Sequence, residues 1–223
     1  MNNLFKRVLT SLILICIFTI SLFTNKYTWL FLTIIISLIL FIEFNNLIKK
    51  IWKKKKNTII YINFISLLFL LIIIFVSYDV YSKPPISLVF IILICIFSDT
   101  GGFVIGNLIG GKKLTKISPN KTISGSVGSF IFSLFPLFIF PLYYKLVDYN
   151  FYLSVGHYYN LIIVCLFLSL ICQLGDLFFS YLKRKAKVKD TGTILPGHGG
   201  LLDRIDGVIF VIPVFYIIDK IFF

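Results

Sequence analysis

Of the nine acidic residues in the chain, Asp176, Asp203 and Asp206 stand where their type and spacing could do chemistry. Asp203 and Asp206 are spaced i, i+3, which on a helix puts both carboxylates on one face and turns Arg204 elsewhere. Two carboxylates on one face repel each other unless a cation lies between them. Mg²⁺ suits that position, because it takes carboxylate oxygens together with water and substrate phosphates and seldom an all-protein cage. Asp176, in the run LICQLGDLFFSYL, can supply a third oxygen. The segment between them is built for anions. Lys183, Arg184, Lys185, Lys187 and Lys189 carry positive charge, and Gly192, Gly197, Gly199 and Gly200 let backbone N–H groups come close to a phosphate. A helix starting at Asp203 adds its N-terminal dipole. The chemistry expected is the binding of a phosphate together with a divalent cation.

The other acidic residues are read more blandly. Asp79 and Asp148 fall in loops and Asp219 near the end of the last apolar segment. Asp190 lies in the basic loop. Glu43 closes an apolar segment beside a lysine-rich stretch, where a neighbouring Lys can pair with it. Asp99 sits inside an apolar segment interrupted by Gly101, Gly102 and Gly106; charge inside a span is costly and is a functional hypothesis by default.

These residues must be positioned by helices in a bilayer. The chain of 223 residues is 58% hydrophobic and only 14% charged, with a mean hydropathy of +0.97; a soluble domain carries about a quarter charged residues. Apolar segments at about 8–24, 28–44, 59–77, 85–109, 123–144, 160–180 and 204–222 predict an all-α, polytopic integral membrane bundle of about seven transmembrane helices, with a range of six to eight. Lys6, Arg7, Lys49, Lys50, Lys53 to Lys56, Lys112, Lys113, Lys116, Lys121, Lys183 to Lys189 and Arg204 fall on one side of such a bundle. Only Lys26, Lys83, Lys145 and Lys220 fall on the other. The bias of Lys and Arg places the first side, and the N-terminus, in the cytoplasm. A single membrane domain over 1–223 follows, with generic N-terminal helices at 1–84. The catalytic core at 85–223 carries cytoplasmic loops at 110–122 and 181–203. The first apolar run lacks an A-x-A-like cleavage site and is expected to be a retained helix.

The net charge of +13 reads as topology and attraction to anionic headgroups, and no nucleic-acid partner is expected. The run KKIWKKKK at 49–56 is a topology determinant first and a lipid-recruiting patch second. Cys16, Cys95, Cys165 and Cys172 lie in apolar runs without metal-ligand spacing and are expected to pack as small apolar residues. No GxxxxGK[ST] phosphate loop occurs.

From Ser180 to Asp206 the polar positions Ser180, Lys183-Arg184, Lys189-Asp190-Thr191-Gly192, Pro196-Gly197-His198-Gly199-Gly200 and Asp203-Arg204-Ile205-Asp206 resemble the signature of phosphatidate cytidylyltransferases, also called CDP-diacylglycerol synthases. Gly175-Asp176-Leu177 is similar to the same family's pattern, as are Ser98-Asp99-Thr100-Gly101, Gly110-Gly111-Lys112 and Ser118-Pro119-Asn120-Lys121-Thr122. The resemblance covers about residues 95–210. The chain departs from it at Phe179, where an acidic residue is usual, at Ile123-Ser124-Gly125, where Trp-Glu-Gly is usual, and near Phe103, where Tyr is common.

The resemblance implies attack by a phosphatidate oxygen on the α-phosphate of CTP, giving CDP-diacylglycerol and pyrophosphate. It implies Asp176, Asp203 and Asp206 as ligands of Mg²⁺, with a second metal ion left open, and Lys183 as catalytic. Lys121, Ser180, Arg184, Lys189, His198, Gly199, Gly200 and Arg204 are the expected substrate contacts. His198 is expected to hold structure or phosphate more than to move a proton. Family analogy further suggests a homodimer, and a bacterial inner membrane with the site facing the cytoplasm. A CTP-dependent polyprenol or phytol kinase is the nearest rival, and a transporter using Asp99 and Asp176 the more distant one; transporter sites lie near the bilayer midplane between repeats, and no repeat is visible.

Overall fold

A computed structural model describes residues 3–82, 86–139 and 155–222. Every described apolar stretch folds as helix, as it must where lipid offers the backbone no hydrogen bonds. The helices are α1 (Asn3–Thr24), α2 (Lys26–Ile51), α3 (Lys56–Ser82), α4 (Ile86–Ile109), α5 (Ile123–Phe132), α6 (Val155–Lys185), the four-residue α7 (Leu202–Ile205) and α8 (Val208–Phe222). Four are long and apolar enough to cross a membrane: Lys26–Ile51, Lys56–Tyr81, Ser87–Ile109 and Asn160–Lys185. Val8–Thr24 and Ile123–Ile139 are shorter apolar helices. The protein is an all-helical, polytopic integral membrane protein. Expectations for Lys83, Lys145, Asp148 and the end of the fifth segment at 140–144 lie outside the described residues.

Two differences from the sequence expectation bear on the site. The fourth segment is not broken by its glycines: α4 runs unbroken to Ile109. A Cβ on Gly101 would lie 2.5 Å from the Gly128 carbonyl and from Phe132, and one on Gly128 would lie 2.7 Å from the Gly101 carbonyl. These glycines therefore let α4 and α5 pack backbone to backbone, the usual use of small residues between membrane helices. The last segment also starts later than expected. Asp203 belongs to α7, and a turn at 206–207 separates it from α8, so neither Asp203 nor Asp206 is part of the final apolar helix.

One compact unit is Met1–Ser87 with Phe179–Asp206, and the other is Leu88–Phe178 with Gly207–Phe223. The N-terminal helices thus share a unit with the glycine-rich loop. In that unit Trp29 of α2 donates its indole N–H to the Ser77 carbonyl at 3.2 Å and stacks on Tyr81. Asn63 bridges α3 to Asn45 of α2 at 2.8 Å. Contacts of this kind matter because lipid removes the hydrophobic drive between helices; each is worth about 0.6–2 kcal/mol. Phe179 is buried and meets Phe44 edge to face, so the position that departs from the family's acidic residue is a packing position here. Cys95, Cys165 and Cys172 are buried and Cys16 is exposed, all four as free thiols, so the first three pack as expected.

Candidate active site

In the unit holding α4 and α5, the loop between these helices is closed by its own backbone. Leu114 N–H donates to the Lys121 carbonyl at 2.8 Å and Ile123 N–H to the Lys112 carbonyl at 3.0 Å. Lys121 N–H donates to the Ser118 carbonyl at 3.1 Å, a turn in which Pro119 takes the position its fixed φ suits. Thr122 then caps α5, its Oγ1 accepting from Gly125 N–H at 3.0 Å. Ser124, within another departure from the family pattern, donates to the Gly110 carbonyl and so ties α5 to the end of α4. This short chain of turn and cap delivers Lys121 to α6, where its ammonium pairs with Asp176. A cavity of about 330 Å³ opens at the pair, its polar lining supplied by Asp99, Asn120, Lys121, Ser126, Gln173 and Asp176 among others. Ser126 donates to Gln173 at 2.6 Å, and the Cys172 thiol lies 3.9 Å from Asp99. Asp176 remains 29% exposed, open enough to meet a ligand. Two carboxylates and a lysine in one cleft suit a polyphosphate with its cation.

In the other unit the signature loop is organised by two carboxylates. α6 ends just past Lys185 in a Schellman-type turn: Val188 N–H donates to the Lys183 carbonyl and Lys187 N–H to that of Arg184. Lys187 takes the left-handed conformation, φ 56°, usually left to glycine. Leu195-Pro196-Gly197-His198 is a tight turn, His198 N–H donating to the Leu195 carbonyl at 2.9 Å. Gly197 at φ 79° fits the third position of a type II turn. Asp203 is the first hub. Its Oδ1 accepts from Lys183 at 2.8 Å, and its Oδ2 accepts from Thr191 N–H at 2.8 Å, Thr191 Oγ1 at 3.0 Å and Gly200 N–H at 3.1 Å. Burial pushes this carboxyl up, but the Lys183 hydrogen bond and charge and the Thr191 and Gly200 N–H groups outweigh it and hold Asp203 below its ordinary value.

The second hub, Glu43 of α2, was not singled out in the sequence as a site residue. It is 2% exposed, and instead of a lysine it meets the loop: its carboxylate accepts from Leu201 N–H at 3.0 Å, Leu202 N–H at 2.8 Å and Thr191 Oγ1 at 3.3 Å. Two of the loop glycines, Gly192 and Gly200, lie against this carboxylate. A Cβ on Gly192 would lie 2.5 Å from Glu43 Oε1, and one on Gly200 would lie 2.7 and 2.8 Å from its two oxygens. No local signal could have found the contact, because it joins residues 148 positions or more apart in the chain.

The remaining expected residues fall as follows. His198 shares a 2.7 Å hydrogen bond from Nδ1 to Thr10 of α1, which supports its structural reading. Arg204 donates to the His198 carbonyl at 3.0 Å. Ser180 is half-buried, Arg184 and Lys189 are exposed, and Asp206 is buried. The structure thus brings together Lys121 with Asp176, and Lys183, Gly199 and Gly200 with Asp203. Asp176 and Asp203 belong to different units. Among the described residues no three His, Cys, Asp or Glu side chains gather as a ready metal cage.

The described residues thus form apolar helices that carry a carboxylate-and-lysine cleft and a lysine- and glycine-rich loop. The cytidylyltransferase family model matches residues 46–222, and the chain belongs to that family. It is 33% identical over 221 residues to the phosphatidate cytidylyltransferase of Rickettsia typhi, covering 96% of this chain and 91% of that one. It is 43% identical over 126 residues to that of Bacillus subtilis (56% and 44% covered). It is 42% identical over 142 residues to that of Staphylococcus saprophyticus (63% and 52%). The chain therefore spans about half the length of the Bacillus and Staphylococcus relatives and nine-tenths of the Rickettsia one.

Proposed function

We propose that this protein is a phosphatidate cytidylyltransferase of a bacterial inner membrane, its site facing the cytoplasm. The observation that carries the reading is the likeness to a phosphatidate cytidylyltransferase over almost the whole of both chains. The Lys121–Asp176 cleft supports it, because an ion-paired lysine and a partly exposed carboxylate are the groups a nucleoside triphosphate and its cation need.

In the reaction, a phosphatidate oxygen forms a bond to the α-phosphorus of CTP while the bond from that phosphorus to the bridging oxygen of the β-phosphate breaks. Pyrophosphate leaves with the electron pair, and because the attacking phosphate is already ionised no general base is needed. The obstacle is the repulsion between two polyanions. Lys121 and Lys183 offset it as ammonium groups released from Asp176 and Asp203 onto phosphate oxygens. Arg184, exposed at the end of α6, reaches phosphate through its forked guanidinium, and Lys189 adds charge from the loop. Ser180 donates to a phosphate oxygen.

The donor chemistry fits Mg²⁺. Asp176 would offer hard oxygens to the ion at the open cleft of its own unit; in the other unit Asp203, with its Oδ1 bound to Lys183 and Asp206 supporting, would offer a place of its own. Bound there, it would neutralise charge on phosphate oxygens and align the displacement. Orientation follows the positive-inside bias, which puts both basic loops on the cytosolic side, where CTP arrives while phosphatidate keeps its acyl chains in the bilayer.

The test uses CTP labelled in the cytosine ring and, separately, on the γ-phosphate, with purified protein and phosphatidic acid micelles. Ring label entering the lipid, with γ-label released as pyrophosphate, is the expected result. Transfer of γ-label to a lipid alcohol would identify a kinase instead.

A further inference from the structure

We infer that Glu43 of α2 is the positioning residue of the signature loop; it stands just before the part of the chain matched by the family, which begins at residue 46. The inference rests on the proposed function for its consequence and on geometry for its substance. Glu43 is buried, and all of its hydrogen-bond donors belong to the loop: two consecutive N–H groups at the start of α7 and the hydroxyl of Thr191. Burying a carboxylate is costly unless hydrogen bonds replace its water, so this residue holds the loop strongly or is not tolerated.

What it holds is Asp203. Thr191 Oγ1 lies between the two carboxylates, 3.0 Å from Asp203 and 3.3 Å from Glu43, and its one proton serves one of them at a time. Leu202, bound through its N–H to Glu43, is the neighbour of Asp203 in α7. Gly200 donates its N–H to Asp203 while its α-carbon faces Glu43 too closely to carry a side chain. Fixing Leu201 and Leu202 from α2 therefore fixes where Asp203 points and, through it, where Lys183 rests. A neighbouring contact repeats the arrangement at lower cost: Thr10 of α1 holds His198 of the same loop. The first two helices, generic by composition, thus brace the loop through two polar residues.

The test is Glu43→Gln in the full-length protein, read in two ways. Hydrogen exchange without substrate should speed by tenfold or more at 191–203 and stay unchanged in α3. Turnover should fall about 10- to 100-fold, the range for residues that orient catalytic groups, with KM for CTP within about threefold of wild type. The split matters, because a loop damaged as a whole would lose CTP binding as well. Wild-type exchange at 191–203 overturns the inference whatever the activity, and so does wild-type turnover. If ring label never enters lipid with the wild type, the proposed function fails, while the exchange readout still decides the role of Glu43. Should Glu43→Gln not accumulate folded, Glu43→Asp keeps the charge and shortens the reach by one methylene. Faster exchange at 191–203 and at least a fivefold fall in turnover are then expected, and wild-type values overturn the inference.

Discussion

Asp203 has two duties, and they respond differently to its loss. As a hub it accepts four hydrogen bonds, one on Oδ1 and three on Oδ2. An Asn cannot replace it: whichever way the amide turns, its NH₂ meets either the Lys183 ammonium or the cluster of loop donors. Asp203→Asn should therefore loosen the loop as well as lower turnover by more than about 100-fold, the scale expected when a ligand of a catalytic ion is lost. The acid response separates the two. With its native value held below the ordinary one, near 3.9 for Asp, Asp203 stabilises the loop fully above that value. The contribution is lost as pH falls through the lowered native value. Limited proteolysis at 186–206 should rise in wild type only below about pH 4, and should be high and flat with pH in Asp203→Asn; a wild-type acid profile in the variant would show that another group anchors the loop. At this scale the sequence was legible where the motif is local. Lys121, Asp176, Lys183 and Asp203 are all found in polar settings, whereas Glu43 was read as a lysine partner because its real partners are distant in the chain.

Elements were legible to the extent that lipid enforces them. Apart from short turns at 133–135 and 206–207, the seven apolar segments coincide with helices wherever they are described, because a bilayer leaves the backbone little other choice. Glycine proved ambiguous: the same residues that suggested a broken fourth segment are contact points of an unbroken one. Nothing in the sequence distinguishes a glycine that bends a helix from one that admits a neighbour, since both need only the absence of a Cβ. The α4–α5 packing predicts that Gly128→Leu will push α5 away from α4 and carry the Lys121 turn with it. Thermal stability in detergent should fall, by about 1–3 kcal/mol for overpacking of this kind, and the affinity for CTP with it. An unchanged melting midpoint and unchanged KM would show that α5 does not position Lys121.

Across the whole molecule, the account asks one membrane protein to bring a lipid phosphate and a soluble nucleotide together. On the proposed function, its helices would give the lipid access and its basic loops the charge that two polyanions need. The division into units explains why the N-terminal helices could not be read from composition: their apolar residues are interchangeable in lipid, and their purpose rests on Glu43 and Thr10. The most direct measurement is transfer of cytosine-labelled CTP to phosphatidic acid by the purified wild-type protein beside Asp176→Asn at matched folding. The account predicts labelled lipid from the wild type and a loss of more than about 100-fold in the variant. Equal labelling by both proteins, or none by the wild type, would contradict it.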